Sequence, residues 1–135
     1  MQIKSQSVLC LVFNPDLDMV VLQERVIEEG QRRMLCGIMG EKLAHESPLG
    51  AASRVLHSNT RVESNPENWL GFHQIETFDS ITWCMAYRTD ITCILRIYDM
   101  HGIDISPKNR YVSHPTPSYM EWLVPMARNL LRGVQ

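Results

Sequence analysis

Residues 40–62, GEKLAHESPLGAASRVLHSNTRV, constrain the fold of this chain more than any other segment. Gly40 opens a loop, and Ser47 followed by Pro48 indicates the start of a helix. The Ser47 hydroxyl can accept a hydrogen bond from the first turn, and Pro48 suits the first helical position because an N–H would lack a partner there. We predict an apolar-faced helix that runs to about Asn59. Free N–H groups gather where a loop enters a helix, which is a common place to bind anions.

Five residues of this segment have an informative spacing: Gly40, Glu46, Arg54, Leu56 and Val62. The pattern resembles the Nudix box, in which Gly, five residues, Glu and seven residues precede R-E-U-x-E-E-x-G-U, with U an aliphatic residue. The resemblance implies the Nudix fold, an α/β fold in which an α/β/α sandwich contains a mixed central sheet. It also implies a box helix whose glutamates bind Mg²⁺, and a metal-assisted attack of water on a nucleoside diphosphate derivative.

The chain departs from the box at the three helical glutamates and at the final glycine. These positions hold Val55, Ser58, Asn59 and Arg61. Residues at i, i+3 and i+4 share one helix face, and three carboxylates there would give a hard cation its oxygen ligands. Valine offers no ligand, and serine and asparagine offer neutral ones. Because Glu46 alone would hold Mg²⁺ weakly, we interpret the box as degenerate, with no metal ligands and no cofactor.

The composition is that of an ordinary globular domain. The chain has 135 residues, 44% hydrophobic and 21% charged, which predicts a single globular domain. The resemblance implies that this domain, residues 1–135, is Nudix-like. A net charge of −2 gives no global attraction to nucleic acid or to an anionic membrane. No signal peptide is visible, and the longest apolar run, residues 8–13, is too short to span a bilayer. We therefore expect a cytoplasmic protein.

The cysteines are expected to be buried free thiols. Cys10, Cys36, Cys84 and Cys93 form no C-x-x-C pair and no zinc spacing, and each lies among apolar residues. Such a pattern is typical of a protein in a reducing compartment.

Outside the box, apolar patterns predict strands. Residues 7–13 form a continuous apolar run that is typical of a strand buried on both faces. Residues 19–23 are predicted to pair with it as a hairpin, and residues 81–87 alternate with period two. A further strand is predicted at residues 90–98, with a turn at residues 101–102.

Two polar segments allow functional or structural interpretations. Residues 24–33 are charged and could form a solvated loop, or Arg25, Arg32 and Arg33 could reach a phosphate, since guanidinium groups bind phosphate oxygens in pairs. Residues 104–117 contain three prolines and are predicted to form an irregular loop.

The end of the chain carries a second resemblance. Residues 120–127, MEWLVPMA, are similar to the W-L-[IV]-P-[LM]-A ending of some small MutT-type Nudix proteins. Ser118 and Glu121 have the spacing of a capping box, and Pro125 favours a helix restart over a helix interior.

These observations lead to a predicted ligand-binding set without an assigned catalytic residue. Arg54 could pair with Glu46 or face a ligand phosphate. The predicted ligand-binding residues are Gly40, Glu46, Arg54, Ser58, Asn59 and Arg25.

Three functions remain open. The first is a catalytically inactive Nudix-like protein that binds a nucleotide-type ligand or a protein partner, since a cleft without carboxylates repels phosphate less. The second is an active pyrophosphohydrolase that uses Mg²⁺ and relocated ligands, Glu46 with Glu63, Glu67 or Glu76. The third is a structural or inhibitory interaction module, in which methionines and aromatic residues form the contact surface and an oligomer is possible. Departures of this kind would suit a virus-encoded protein that kept a fold and changed its use.

Overall fold

The computed structural model describes residues 4–27, 32–105 and 117–133. Within these residues it has seven strands, two α-helices and two short 3-10 helices. The strands are β1 (Ser5–Phe13), β2 (Met19–Ile27), β3 (Arg32–Cys36), β4 (Ile38–Glu41), β5 (Leu70–Glu76), β6 (Ser80–Arg88) and β7 (Met100–Asp104). The α-helices are α1 (Pro48–Thr60) and α2 (Met120–Arg132), and the 3-10 helices are Pro66–Asn68 and Ile94–Arg96.

The described strands join one mixed sheet. Its main path follows the order β3-β2-β1-β6-β5, while β4 pairs with β1 and β7 pairs with β2. β1 and β6 are parallel, and the other pairs are antiparallel. The predicted hairpin of β1 and β2 is confirmed, with Val12 opposite Val21.

The core lies on both faces of β1, as the continuous apolar run predicts. Alternate side chains of a strand point to opposite faces, so one half of β1 packs beneath α1 and the other half beneath α2. The residues on the α1 side are Val8, Cys10 and Val12, and those on the α2 side are Leu9, Leu11 and Phe13. The predicted α/β/α sandwich with a mixed central sheet is therefore confirmed.

The predicted strand at residues 90–98 is wrong. This segment contains turns and the 3-10 helix Ile94–Arg96, and its buried side chains Ile91 and Ile94 are three residues apart. That spacing places both on one side of a 3-10 turn, whereas a strand would separate them. The predicted turn at residues 101–102 is also wrong, because His101 and Gly102 lie inside β7.

The charged segment after residue 23 is partly regular. β2 continues to Ile27, and the Glu24 N–H donates a hydrogen bond to the Asp99 carbonyl at 2.7 Å, so this part is not a solvated loop. Residues 28–31 lie outside the described residues, as do residues 106–116 of the predicted irregular loop.

The prediction about the cysteines is confirmed for Cys10, Cys36 and Cys84, which are buried free thiols. It is wrong for Cys93, which is exposed just before the 3-10 helix. No helix among the described residues is long and apolar enough to cross a membrane.

Two predictions about α2 are wrong. The Glu121 N–H donates to the backbone carbonyl of Ser118 and no side chain caps the helix, so the capping box does not form. Pro125 lies inside α2. Because proline has no N–H, the Glu121 carbonyl lacks its usual helical hydrogen bond. The helix tolerates this loss because Pro125 and Glu121 are both exposed to solvent.

We expect Pro125→Ala to raise the free energy of unfolding by about 2 kcal/mol, because an interior proline is far less favourable in a helix than alanine. Chemical denaturation measures this difference. Pro48→Ala is the matched control, since Pro48 occupies the first position of α1 and should gain nothing. Equal effects of the two substitutions would contradict the conclusion that Pro125 occupies an unfavourable position in the helix interior.

Candidate functional site

The ends of α1 follow the spacing of the box. The Ser47 hydroxyl accepts a hydrogen bond from the Gly50 N–H at 3.0 Å, and Pro48 is the first helical residue, as predicted. At the other end Arg61 adopts a left-handed backbone with φ of 66°, and its N–H donates to the His57 carbonyl at 2.8 Å. Glycine is the usual residue in this conformation. The position that the box gives to its final glycine is therefore the helix cap.

The inner face of α1 is packed directly on β4. A Cβ added to Gly40 would lie 2.5 Å from Cγ2 of Val55 and 2.9 Å from its Cγ1. The Val55 side chain is buried, with 2% of its surface exposed. Gly40 is thus required because the valine methyl groups fill the space above it. Residue 55, one of the three positions at which the Nudix box has a glutamate, is consequently an apolar contact in this chain.

Asn59, at a second of these positions, belongs to a hydrogen-bond network of two side-chain amides and one carboxylate. The Asn59 Nδ2 donates to the Val55 carbonyl at 2.8 Å, and the Asn59 Oδ1 accepts from Gln23 Nε2 at 3.0 Å. The same Gln23 nitrogen donates to Asp99 Oδ2 at 3.1 Å, which joins α1, β2 and the residue before β7. Gln23 is 8% exposed, and its Oε1 has no hydrogen-bond partner among the described residues. The third position, Ser58, is exposed.

Glu46 and Arg54 form a bidentate ion pair. Arg54 Nε donates to Glu46 Oε2 at 2.6 Å, and Nη2 donates to Oε1 at 2.9 Å. The Leu43 N–H donates to the same Oε1 at 2.8 Å. The hydrogen bonds from Arg54 lower the pKa of Glu46 to about 2, and the Leu43 N–H contributes, against an opposing effect of desolvation. Both carboxylate oxygens are therefore already engaged.

Two arginines cover one edge of β4. The Lys42 N–H donates to β1, so the carbonyls of Met39 and Glu41 point to the edge that faces away from β1. Arg25 Nη2 donates to the Met39 carbonyl at 3.2 Å. Arg54 Nη2 donates to the Glu41 carbonyl at 2.6 Å. The two anchoring carbonyls are two residues apart along a strand, which corresponds to about 7 Å.

The structure gathers only part of the predicted ligand-binding set. Gly40 lies between the carbonyls that hold Arg25 and Arg54, and Glu46 is attached to Arg54. Asn59 joins a separate network. In the part of the chain that the structure describes, no group of three or more His, Cys, Asp and Glu side chains is placed to hold a metal ion.

Sequence reasoning missed Gln23 and Asp99. The signal for Gln23 was a polar residue at the end of an otherwise apolar run, MVVLQ. No sequence signal places Asp99 beside it, because that contact depends on how residues 90–98 enter β7.

We expect Gly40→Ala to lower the free energy of unfolding by roughly 1–3 kcal/mol, because the new methyl group would overlap Val55. In a Val55→Ala background the same change should have little effect, so the double-mutant cycle should give a coupling of at least about 1 kcal/mol. Gly71→Ala is the matched control, since a Cβ there meets only the flexible end of Met85, with Cε at 3.4 Å and Sδ at 3.6 Å. If the changes in the free energy of unfolding at residues 40 and 55 were additive, the predicted steric overlap between the two residues would be contradicted.

We expect Glu46→Gln to lower the melting temperature at neutral pH, with a difference from the wild-type chain that shrinks in acid. The pKa is lowered from 4.5 to about 2 on folding, so the pair stabilises the fold above pH 4.5 and loses this effect as the pH falls toward 2. Glu67→Gln is the control, because this exposed side chain makes no hydrogen bond or ion pair to a described residue. A Glu46→Gln difference that stays constant with pH would contradict the role of the ion pair.

Solved structures that resemble this chain include several MutT/Nudix proteins. A MutT/Nudix protein from Listeria innocua is 11% identical, with a TM-score of 0.73 over 98% of this chain and 97% of its own. One from Enterococcus faecalis is 13% identical, with a TM-score of 0.63 over 98% of this chain, which spans only 64% of that protein's length. A hydrolase of ADP compounds is 14% identical, with a TM-score of 0.62 over 98% of this chain and 75% of its own.

Neither a protein-family model nor a curated protein matches the sequence. The structural similarity at these low identities concerns the fold. It agrees with the sandwich, the mixed sheet and the helix that the sequence resemblance led us to expect. This chain is a protein of the Nudix fold.

Proposed function

We propose that this protein binds a nucleotide-type small molecule without a metal ion and does not hydrolyse it. The observation that carries the proposal is the inner face of α1. The positions at which the Nudix box has metal-binding glutamates hold other residues in this chain. Val55 packs on Gly40, and Asn59 is tied to Gln23. The box helix thus serves packing and a hydrogen-bond network of two amides and the Asp99 carboxylate in place of cation binding.

The donor set does not fit Mg²⁺. This ion requires a near-octahedral shell of oxygen ligands and usually one or two carboxylates. The Glu46 oxygens accept hydrogen bonds from Arg54 and Leu43, and Asp99 Oδ2 accepts one from Gln23. A cation would have to displace these donors, and the described residues bring no third acidic, histidine or cysteine side chain to either carboxylate in a metal-binding arrangement. We therefore assign no step to metal-activated water.

The edge of β4 supports binding of an anionic ligand. Arg25 and Arg54 each use a guanidinium nitrogen to hold a β4 carbonyl, and both side chains remain exposed. Guanidinium groups bind phosphate oxygens through paired N–H donors. The two carbonyls that anchor these guanidinium groups are about 7 Å apart along the strand, and two cations anchored in this way would suit a ligand with more than one phosphate. Arg54 is partly neutralised by Glu46, so Arg25 would supply most of the free positive charge.

The nature of the ligand is inferred from the fold. One structural neighbour is described as a hydrolase of ADP compounds, which makes nucleotide derivatives the first class to test. The buried thiols Cys10, Cys36 and Cys84 would be stable in a reducing compartment, which supports the proposal of a cytoplasmic protein.

A thermal-shift titration against nucleoside mono-, di- and triphosphates, with EDTA and with Mg²⁺, tests this function. Ligand binding to the folded state raises the melting temperature. We expect at least one nucleotide to produce a shift that persists in EDTA, and no release of phosphate or nucleoside monophosphate with Mg²⁺ or Mn²⁺. Arg25→Ala should weaken binding by about tenfold or more, the loss of one charge-assisted contact.

Arg96→Ala is the matched control, because Arg96 is an exposed arginine on the 3-10 helix. Arg96→Ala should leave the affinity unchanged. A shift that requires Mg²⁺, together with turnover that Glu46→Gln abolishes, would instead establish an active hydrolase with relocated ligands. The absence of any shift across the nucleotide panel would also overturn the proposal.

A further inference from the structure

The strand β5 leaves one edge of the sheet open. It is the last strand on the main path, and it pairs only with β6 among the described residues. The Thr77 N–H donates to the Ser80 carbonyl at 2.9 Å, and successive residues of an antiparallel strand direct their backbone groups to opposite edges. Gln74 and Glu76 therefore direct their N–H and carbonyl groups away from β6, whereas Ile75 directs its own toward β6. An open edge of this kind is a template for a further strand.

An apolar stripe of α2 borders this edge. Trp122, Met126 and Leu130 follow one another at four-residue intervals, which places them along one side of the helix. Trp122 is 45% exposed and Leu130 is 44% exposed. The Trp122 ring packs edge-on against the ring of His73 in β5, with centroids 5.0 Å apart. The helix stripe and the strand edge thus form one continuous surface.

Phe78 extends this surface at the tip of the hairpin. It lies in the turn between β5 and β6, and 85% of its surface is exposed. The cores of protein interfaces are enriched in tryptophan, phenylalanine and methionine and depleted in charged residues. Exposed side chains of these types beside an unpaired strand indicate a surface that contacts another protein chain.

The distribution of charge favours a second copy of this chain as the partner. In a two-fold symmetric contact each surface meets its own copy, so a charge near the axis meets an identical charge. The sequence of β5 holds a single Asp, Glu, Lys or Arg residue, Glu76 at its end, and this carboxylate is paired with Lys4 Nζ at 2.5 Å. The charged residues of α2 lie on another side of the helix from the apolar stripe: Glu121, Arg128 and Arg132. The surface therefore carries little charge that would repel its own copy.

We propose that two copies of this chain associate through β5, which pairs antiparallel with β5 of the second copy about a two-fold axis at Gln74. The two Gln74 residues then exchange N–H···O bonds, and Phe78 lies near Leu70 of the second copy. The two Glu76 residues are four positions apart along the paired strands, about 14 Å, which exceeds the screening length of about 8 Å. The sheet continues across the contact, and the apolar stripes of both α2 helices lie on the same face of it.

This association is independent of nucleotide binding at β4. The strands β6 and β1 separate β5 from β2, which carries Arg25, so the contact leaves the edge of β4 open.

Sedimentation equilibrium of the full chain, together with amide hydrogen exchange, tests the proposal. We expect a species of twice the chain mass of 15.6 kDa. Its dissociation constant should be about 100 µM or lower. As the concentration rises, the amides of Gln74 and Glu76 should become protected, whereas that of Ile75 should be protected throughout by its bond to β6. A chain that stays monomeric well above this concentration would overturn the proposal and leave the surface to a different protein.

Two substitutions locate the contact. Gln74→Pro removes an N–H that points away from β6, so it should abolish the dimer and retain the circular dichroism spectrum of the folded chain, since an edge strand tolerates proline there. Phe78→Ser should weaken association about fivefold or more through loss of an aromatic contact. Tyr98→Ser is its matched control, because Tyr98 is an aromatic residue outside the surface with 92% exposure, and the dimer should persist. A dimer that survives both Gln74→Pro and Phe78→Ser would show that the copies meet elsewhere and would refute the proposal.

Discussion

The close contact between Gly40 and Val55 determines how α1 lies on the sheet. Because residue 40 has no side chain, the helix packs so close to β4 that the Val55 methyl groups occupy the space that a Cβ of residue 40 would need. At this distance the inner face of the helix has no room for a hydrated ion at residue 55. The remaining inward polar residue, Asn59, is satisfied by Gln23 and by its own helix. The inner face of α1 is consequently a packing surface, and the Asn59 amide at one end of it belongs to a hydrogen-bond network with Gln23 and Asp99.

The charged residues around α1 also differ from those of the Nudix box. Arg54 neutralises Glu46 and also holds the edge of β4, while Arg25 holds the same edge two residues away. Carboxylates at residues 55, 58 and 59 would have made this region strongly negative, whereas the residues present leave positive charge exposed. This difference in local charge underlies the proposal of a metal-free anion binder, because the net charge of −2 for the whole chain gives no such attraction.

Local sequence signals predicted the elements that depend on local physics. Ser47 and Pro48 located the start of α1, and the apolar run of β1 predicted a strand buried on both faces. The errors occurred where tertiary packing overrides local preference. The apolar residues after Asp90 form a 3-10 turn because Ile91 and Ile94 reach one core, and Pro125 is tolerated inside α2 because its face is exposed.

The site could be predicted only in part for the same reason. The spacing of Gly40, Glu46 and Arg54 predicted the ion pair as one of two options, and the structure shows it. The network that includes Asn59 joins distant parts of the chain, since its partner Gln23 lies 36 residues before it and Asp99, which accepts from Gln23, lies 76 residues after Gln23. Contacts of this kind follow from sheet order and register, which residue spacing does not contain.

Titration of the metal-stripped protein with Mn²⁺, followed by the electron paramagnetic resonance signal of the free ion, tests the central claim most directly. If the inner face of α1 has exchanged cation binding for packing and amide hydrogen bonds, the free-ion signal should match that of buffer, with no saturable site at micromolar Mn²⁺. One equivalent of tightly bound Mn²⁺ that Glu46→Gln abolishes would contradict this account, because the Glu46 carboxylate would then be a metal ligand and not only the partner of Arg54.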